Sequence, residues 1–554
     1  MPLFLRTPLW CALSTALLGL CAQAQTLPNA GQILESLEQK RPEQPAPATI
    51  ELLLPDTPTP AADDTGPTIE VQRFAIEGNS AIDTADLLAL LQPLEGQSLT
   101  LSQLEAGAAR ITQRYRENGY PFAYAYLPQQ TVDAGLVRVA VLEGRLGQVH
   151  IENKSRQRAH VVATPLRLLR SGEVIHADAL ETSLLLLGDV SGARAKSRLQ
   201  PGTDVGTTDL VVQVEDAPLI SGSLGLDNFG TRGTGIVRAT GSLRLNGALG
   251  LGEQIHLHTL LSNDRLRNYH LGYEMPVGPW STRVGASLSQ MNYETGGAFS
   301  VLDNYGSGKV ASIHATQPLV RSRSSNLNAK LSYDQKRLAD HIGLQDSHER
   351  KRSHLTTLGL NGNWQDSLIS RAVSQWDLSW SHGQLRLGSD EQRELDALTT
   401  RTAGRFQVLN GHLARWQALG GPWMLHGRVN GQWANKNLNT SEKMSLGGAY
   451  GVRAYPQGEA QADMGLLGSL ELQYALTDAW QLSGFVDGGR VKFQHSPWTH
   501  ENNHRSLAGA GFGLKRSGTS WSLESSLAWR VGNGPATSAQ QRSPALLLKL
   551  QVHL

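Results

Sequence analysis

The sequence runs to 554 residues with 50 Lys and Arg against 49 Asp and Glu, a neutrality that excludes the concentrated basic footprint of a nucleic-acid binder. Its two cysteines, Cys11 and Cys21, both precede residue 25, so the chain that follows has neither a disulfide framework nor a thiol nucleophile. No stretch beyond residue 24 reaches the ~18 apolar residues of a spanning helix, which leaves a large soluble protein or a β-barrel, whose membrane signal is hidden because only every second residue faces lipid.

Residues 1–24 read as a secretory signal peptide, with Arg6 as the positive n-region, Leu9 to Leu20 as the apolar core and Ala22-Gln23-Ala24 as a small-x-small cleavage site. The apolar run is too short for a lasting membrane helix. Cys21 invites a lipoprotein reading, which Leu20 before it disfavours because lipidation needs a small residue there. Removing the signal takes away one Arg and no acid, leaving 49 basic and 49 acidic residues. Residues 27–40 (LPNAGQILESLEQK) place Ile33, Leu34 and Leu37 on one side of a short amphipathic helix. In residues 41–67 the repeated prolines support neither helix nor sheet, and the segment reads as a linker.

Residues 68–145 have the order strand, helix, helix, strand, strand. IEVQRFAI is the first strand, and Asp83 caps a helix containing Leu87, Leu88 and Leu91. Leu101, Leu104, Ala108, Ile111 and Tyr115 share one face of a second helix that Asn118-Gly119 ends. AYAYLP and LVRVAVLEG follow as strands. Residues 146–216 repeat the order, with LGQVHIE, helical stretches at about 159–170 and 176–187, then ARAKSRLQ and TDLVVQVED. Two copies of one β-α-α-β-β unit predict two tandem small domains.

From residue 219 the pattern becomes alternation. Leu327, Ala329, Leu331 and Tyr333 interleave with Asn328, Lys330 and Ser332, and Leu546, Leu548, Leu550, Val552 and Leu554 with Lys549, Gln551 and His553. Segments of about ten residues, apolar on one face and polar on the other, are the sequence form of a transmembrane barrel. A soluble β-sandwich is the alternative, but its polar outer face would not need Trp280, Trp380, Trp423, Trp433 and Trp529 near strand ends. Residues 219–554 allow 21 residues for each of 16 strands.

Other chemistry has no strong candidate. GSGKV (Gly306–Val310) lacks the upstream Gly and the Ser or Thr of a phosphate loop, and GAGFG (Gly509–Gly513) does not open a helix. The 17 histidines show no paired ligand spacing; His256 and His258 read as lumen-facing strand residues. There is no GxSxG elbow. The expectation is therefore no catalytic residue, no cofactor and no metal.

Ordered motifs sharpen this reading. They are ENGYPFAYAYLPQQ (Glu117–Gln130), VRVAVLEGRLGQV (Val137–Val149), LLLLGDVSGARAKSRLQPGTDVGTTDLVVQV (Leu184–Val214), LDNFGTRGTG (Leu226–Gly235), SEKMSLGGAYGVRAYPQGEAQADMG (Ser441–Gly465) and GFVDGG (Gly484–Gly489). In that order they resemble the TpsB transporters of two-partner secretion, haemolysin-activator type, in the POTRA-plus-barrel superfamily. The resemblance implies an N-terminal plug helix at 25–40, POTRA domains at 68–145 and 146–216, and a transmembrane β-barrel of about 16 antiparallel strands at 219–554.

It also implies function. An unfolded exoprotein partner, such as an adhesin or haemolysin, is recognised in the periplasm through its N-terminal secretion domain and translocated across the outer membrane by a monomeric barrel. A loop motif of Val452, Arg453, Ala454 and Tyr455 folds into the lumen, where Arg453 meets the wall motif Phe485, Asp487 and Gly489. The alternation agrees, because Leu482, Gly484 and Val486 share one face and leave Phe485 and Asp487 on the lumenal one. Without the resemblance, Arg453 would read as an exposed loop charge and Asp487 as a solvated lumen residue. The family usually has Gly where this chain has Ala454, and Ala is costly if that position needs positive φ. The family often ends in an aromatic residue, whereas this chain ends in Leu554. Substrate docking on the POTRA domains by strand addition falls to Tyr120, Pro121 and Tyr124, whose alternative role is to pack and turn the domain. The rivals are an outer-membrane insertase of the same superfamily, which usually carries more POTRA domains, then a diffusion porin and a barrel enzyme.

Overall fold

The computed structural model describes residues 28–38, 52–53, 66–296, 300–301, 303–532, 534–539 and 543–554. The signal reading of residues 1–24 lies outside them, as does nearly all of the 41–67 segment. Within that segment Leu52–Leu53 forms a two-residue strand, β1, where the prolines predicted no sheet; it pairs in parallel with Ser197 and Arg198. A helix, α1 (Ala30–Glu38), precedes it.

The run IEVQRFAI is two strands, β2 (Thr68–Val71) and β3 (Arg73–Glu77). They part because the amides of Gln72 and Arg73 both donate to the Gly135 carbonyl, which turns the chain from one sheet into the next. The helix α2 (Thr84–Leu91) follows Asp83, whose side chain makes no cap bond. β4 (Gln97–Thr100) was not foreseen and pairs antiparallel with β2. A capping box opens α3 (Leu101–Glu117): the Gln103 amide donates to Thr100 Oγ1 at 3.3 Å, and the Thr100 amide to Gln103 Oε1 at 3.0 Å. Leu104, Ala108, Ile111 and Tyr115 are buried as their spacing predicts, but Leu101, in the first turn, stays exposed. β5 (Tyr124–Tyr126) and β6 (Leu136–Leu142) complete a sheet ordered β3-β6-β5, with β5 at its edge.

The second unit contains β7 (Arg145–Asn153), α4 (Ala159–Leu166), α5 (Ala177–Gly188), β8 (Ala193–Pro201) and β9 (Thr207–Asp216). α4 is shorter than predicted because Pro165 removes a helical N–H from its last turn. Leu180, Leu184 and Leu187 of α5 pack on Leu210, Val212 and Val214 of the central strand β9. Each such buried side chain contributes about 1.5–3 kcal/mol.

Sixteen antiparallel strands then close a barrel. In order they are β10 (Ile220–Asp227), β11 (Arg238–Asn246), β12 (Gln254–Ser262), β13 (Arg267–Val277), β14 (Thr282–Glu294), β15 (Asn304–Arg321), β16 (Ser325–Ile342), β17 (Ser347–Asp366), β18 (Ala372–Leu387), β19 (Gly404–Gly420), β20 (Trp423–Ala434), β21 (Met464–Ala475), β22 (Trp480–Lys492), β23 (His504–Ser517), β24 (Trp521–Arg530) and β25 (Ala545–His553). β10 pairs with both β11 and β25, so the sheet has no free edge. Outward positions such as Leu271, Leu288, Ile313, Leu331 and Phe512 are exposed, while Arg428, Glu471 and Asp487 on the inner face are buried. Trp280, Trp423, Trp433 and Trp529 are exposed near strand ends, the girdle expected at a membrane interface. Between β18 and β19, Ser389 caps a helix that was not predicted, α6 (Asp390–Leu398).

The second small domain sits against the barrel turns at the end where β10 begins. Gln157 bridges one of them, donating to the Gly247 carbonyl at 3.1 Å and accepting from the Gly252 amide at 2.9 Å. Asp189 holds Arg321 through two bonds of 2.7 and 2.8 Å.

Candidate functional site

Residues 435–463, which join β20 to β21, fold back into the barrel. Backbone bridges pair Met444 with Ala462 and Gly447 with Val452. The Val452 amide donates to the Leu446 carbonyl at 2.7 Å and the Tyr455 amide to the Val452 carbonyl at 3.0 Å, which makes the tip a tight turn. Leu446, Val452, Ala454 and Tyr455 are buried with Phe485, Val491 and Leu507 of the wall in one apolar cluster.

This turn delivers Arg453 to the wall. Its Nε donates to Asp487 Oδ2 at 2.8 Å and its Nη2 to Asp487 Oδ1 at 2.9 Å, a bidentate fork. Nη1 donates to Glu471 Oε2 at 2.8 Å, and the Arg453 amide reaches Asp487 Oδ2 at 3.1 Å. The guanidinium carbon lies 3.2 Å from the centre of the Phe485 ring. Arg453, Asp487 and Glu471 are all buried. In β22 the alternation puts Leu482 and Val486 outward and Phe485 and Asp487 inward, as predicted. The structure therefore brings Arg453, Phe485 and Asp487 together. Sequence reasoning did not single out Glu471 or Ser469, whose hydroxyl accepts from Arg453 Nη2 at 3.3 Å and donates to Asp487 Oδ1 at 2.7 Å; the signal was their inward register beside Leu470 in β21.

Glycines open the recess that receives the loop. A Cβ on Gly489 would meet Leu446 Cδ2 at 2.6 Å, and one on Gly511 would meet the tip of the Phe485 ring at 2.6 Å. GAGFG thus lies in β23 as wall for the loop, and GSGKV lies in β15. The expected cost of Ala454 does not arise. Positive φ in this loop falls on Ala460 (φ 55), Gly448 and Gly458, not on Ala454. The Ala454 Cβ fits because Gly509 opposite has none; a Cβ there would lie 2.9 Å away. The outer part of the loop is tied as well. Glu459, fully buried, accepts from the amides of Thr537 at 2.7 Å and Ser538 at 2.8 Å, and Tyr455 Oη donates to the Gly534 carbonyl at 2.8 Å.

The helix α1 lies inside the barrel beside the same loop. Ala30, Ile33 and Leu34 pack on Leu260, Leu266, Met291, Tyr293 and Leu338 of the wall. The Ala30 amide donates to Asp340 Oδ1 at 2.7 Å, Thr440 Oγ1 to Asn29 Oδ1 at 2.8 Å and Ser445 Oγ to Glu35 at 3.3 Å. Lys336 lies 3.2 Å from Glu442 of the loop and 3.9 Å from Glu38 of the helix. Glu35, Lys336 and Glu442 were not singled out from the sequence, because only folding puts them side by side.

The three docking candidates separate. Tyr120 packs edge-on against Tyr115 and His176, at the seam between the small domains. Gly119 there has φ +84, and a Cβ on it would meet His176 at 2.6 Å. Pro121 is half-buried in the following turn. Tyr124 is exposed on the edge strand β5 and stacks on Tyr126 at 6.2 Å. Beneath the seam, buried Glu143 accepts from the Ala81 amide at 2.7 Å and Tyr115 Oη at 2.9 Å, and also from Ser80. Burial opposes its charge, but the bonds from Ser80, Ala81 and Tyr115 prevail and hold the carboxyl below the ordinary 4.5. Burial and the Glu143 carboxylate push the Tyr115 hydroxyl far up. His256 and His270 meet on the inner wall with Nε2 atoms 3.1 Å apart. Among the described residues no group of three or more His, Cys, Asp or Glu is placed to hold a metal ion.

Comparison with known proteins places this arrangement. Residues 206–516 match the family model of haemolysin secretion/activation proteins ShlB/FhaC/HecB, and residues 69–144 match the ShlB-type POTRA domain. The chain is 28% identical over 521 residues to the heme/hemopexin transporter protein HuxB of Haemophilus influenzae strain Rd, covering 91% of this chain and 92% of the relative. To the outer membrane transporter CdiB of Escherichia coli strain 536 it is 24% identical, covering 77% and 72%. The solved structure of CdiB from Escherichia coli superposes with a TM-score of 0.72 at 19% identity, covering 92% of this chain and 94% of that one, and shares the fold.

Proposed function

Because the chain belongs to the haemolysin secretion/activation family, we propose that its lumen is a gate with two closures, the Arg453 lock and the seat of α1. The protein is an outer-membrane transporter that translocates a large exoprotein partner, with its POTRA domains in the periplasm. On this reading the unfolded partner adds a strand to an exposed sheet edge, with Tyr124 and Tyr126 beside it on β5. α1 then leaves the lumen, and the partner threads past a loop that Arg453 keeps in one position. Folding of the partner outside supplies the direction, and no step is catalytic. By likeness to HuxB, the cargo is an exoprotein serving heme or hemopexin transport.

The observation that carries the reading is the buried Arg453 fork on Asp487, with Glu471 as second acceptor. A surface pair would contribute little; a buried arginine with every acceptor placed is a designed fastening. Arg453→Ala and Asp487→Asn should abolish secretion while the barrel still inserts, read by secreted exoprotein and by heat-modifiable migration of the barrel. Normal export by both variants would sink the lock. Comparing the proteins secreted by wild-type and deletion strains tests the transport itself: loss of one large protein supports it, and broad loss of membrane barrels supports an insertase instead.

A further inference from the structure

We propose that the apolar patch seating α1 is also a contact site for the exoprotein in transit, so that helix and cargo compete for one surface. The inference rests on the reading of α1 as a plug that leaves.

The barrel's inner wall is built to be polar, since alternation sends its apolar residues to lipid. Around α1 that rule is broken on neighbouring strands. Leu260 of β12, Met291 and Tyr293 of β14 and Leu338 of β16 all point inward and are buried, with Val310 of β15 half-buried beside them. The membrane does not need these side chains, because they face away from it. With α1 in place they are covered by Ala30, Ile33 and Leu34. With α1 gone they would line a water-filled channel, and each large apolar side chain left uncovered would disfavour that state. A wall that serves only an open channel would not carry such a patch. The patch fits an extended or helical segment bearing small and medium apolar side chains, which an unfolded exoprotein presents repeatedly. Met291, unbranched and adaptable, suits a site that meets many sequences.

Competition follows from this geometry. α1 is nine residues long, below the length at which a helix holds itself together in water, so its place depends on the patch. An incoming chain that covers Leu260 and Leu338 favours the state with α1 displaced by mass action. The contact is small enough to be left again, as passage through a channel requires. Lys336, two residues before Leu338 on the same inward face, touches Glu38 of α1 and Glu442 of the loop. Displacement of α1 is thereby felt at the base of the Arg453 loop.

Four full-length chains test this: wild type, a deletion of residues 27–40, the double variant Leu260→Ser with Leu338→Ser, and the combination. Conductance of the purified proteins in planar bilayers reports whether the helix is seated, and exoprotein in the medium reports transport. The double variant should conduct like the deletion. Against its own parent it should secrete about tenfold less, with or without residues 27–40, as expected for two truncated contacts. If the combination secretes as much as the deletion alone, the patch seats only the helix and the proposal is overturned. If the deletion leaves conductance unchanged, α1 is no plug, and that reading falls together with the competition. Should the double variant fail to insert, a photoreactive residue at Leu338 of the wild-type chain decides the matter during arrested export. Crosslinks to the exoprotein should be stronger there than at Ser526, a polar lumenal position on β24 across the barrel; equal labelling overturns the proposal.

Discussion

The lumen holds two inserted segments fastened in opposite ways. The loop tip is ionic: Arg453 spends its fork on Asp487 and its remaining arm on Glu471, all buried, with Phe485 against the guanidinium. α1 is short and seated on an apolar face, and its polar ties are single bonds to Asp340, Thr440 and Ser445 and a loose 3.9 Å pairing of Glu38 with Lys336. Removing one partner of a buried ion pair strands a charge in low dielectric, so such a fastening resists release. The apolar patch itself carries no charge to strand, and Lys336 keeps Glu442 as a partner when α1 is gone, so another apolar chain can take its place. On the proposed gate, these two fastenings divide the work: the ionic one holds its segment and the apolar one releases it.

That contrast can be broken in order of size. Arg453→Ala should cost about 3–5 kcal/mol in the stability of the loop, because Asp487 and Glu471 are left buried and unpaired; enhanced protease cleavage within 435–463, with the barrel intact, is the measurement. Leu34→Ala should loosen α1 by about 2–4 kcal/mol and raise channel conductance, with loop cleavage rising far less than in Arg453→Ala. Equal loop cleavage in this variant would show that the two fastenings are one. Gly489→Ala should displace Leu446 and weaken the loop by about 1–3 kcal/mol, lowering secretion less than Arg453→Ala does.

A smaller effect, outside the barrel, sharpens the contrast. Glu143→Gln should weaken the first small domain where Glu143 holds Ser80, Ala81 and Tyr115, by about 1–3 kcal/mol, while leaving conductance unchanged. Its carboxyl titrates below its ordinary value in the folded chain, so its contribution is complete above about pH 4.5 and is lost as pH falls through the lowered folded value. Protection factors at the Ser80 and Ala81 amides, taken against the intrinsic exchange rate at each pH, should therefore fall in acid in the wild type, with much less dependence in Glu143→Gln.

Local patterns made much of this legible. The alternation of β16 and β25 pointed to a barrel because each residue's facing follows from a period of two. The spacing of Leu104, Ala108, Ile111 and Tyr115 named the buried face of α3. Arg453 and Asp487 were paired only through resemblance, since 34 residues separate them and no periodicity links a loop to a strand. For the same reason Glu471 was not matched to Arg453, nor Gly509 and Gly511 of GAGFG to the loop and wall they make room for. The division of IEVQRFAI at Gln72 depended on the carbonyl of Gly135, far along the chain.

By itself, then, the sequence determined what periodicity and composition can carry: an exported barrel, two repeated small domains ahead of it, and which face of each strand meets lipid. Only the tertiary structure decided which inward residues touch. It put Glu471 beside Arg453, let Ala454 stand against Gly509 without left-handed backbone, and laid α1 on an apolar patch gathered from neighbouring strands. Closing the sheet is the physical reason, because it turns positions far apart in the chain into neighbours across a lumen where water no longer screens them.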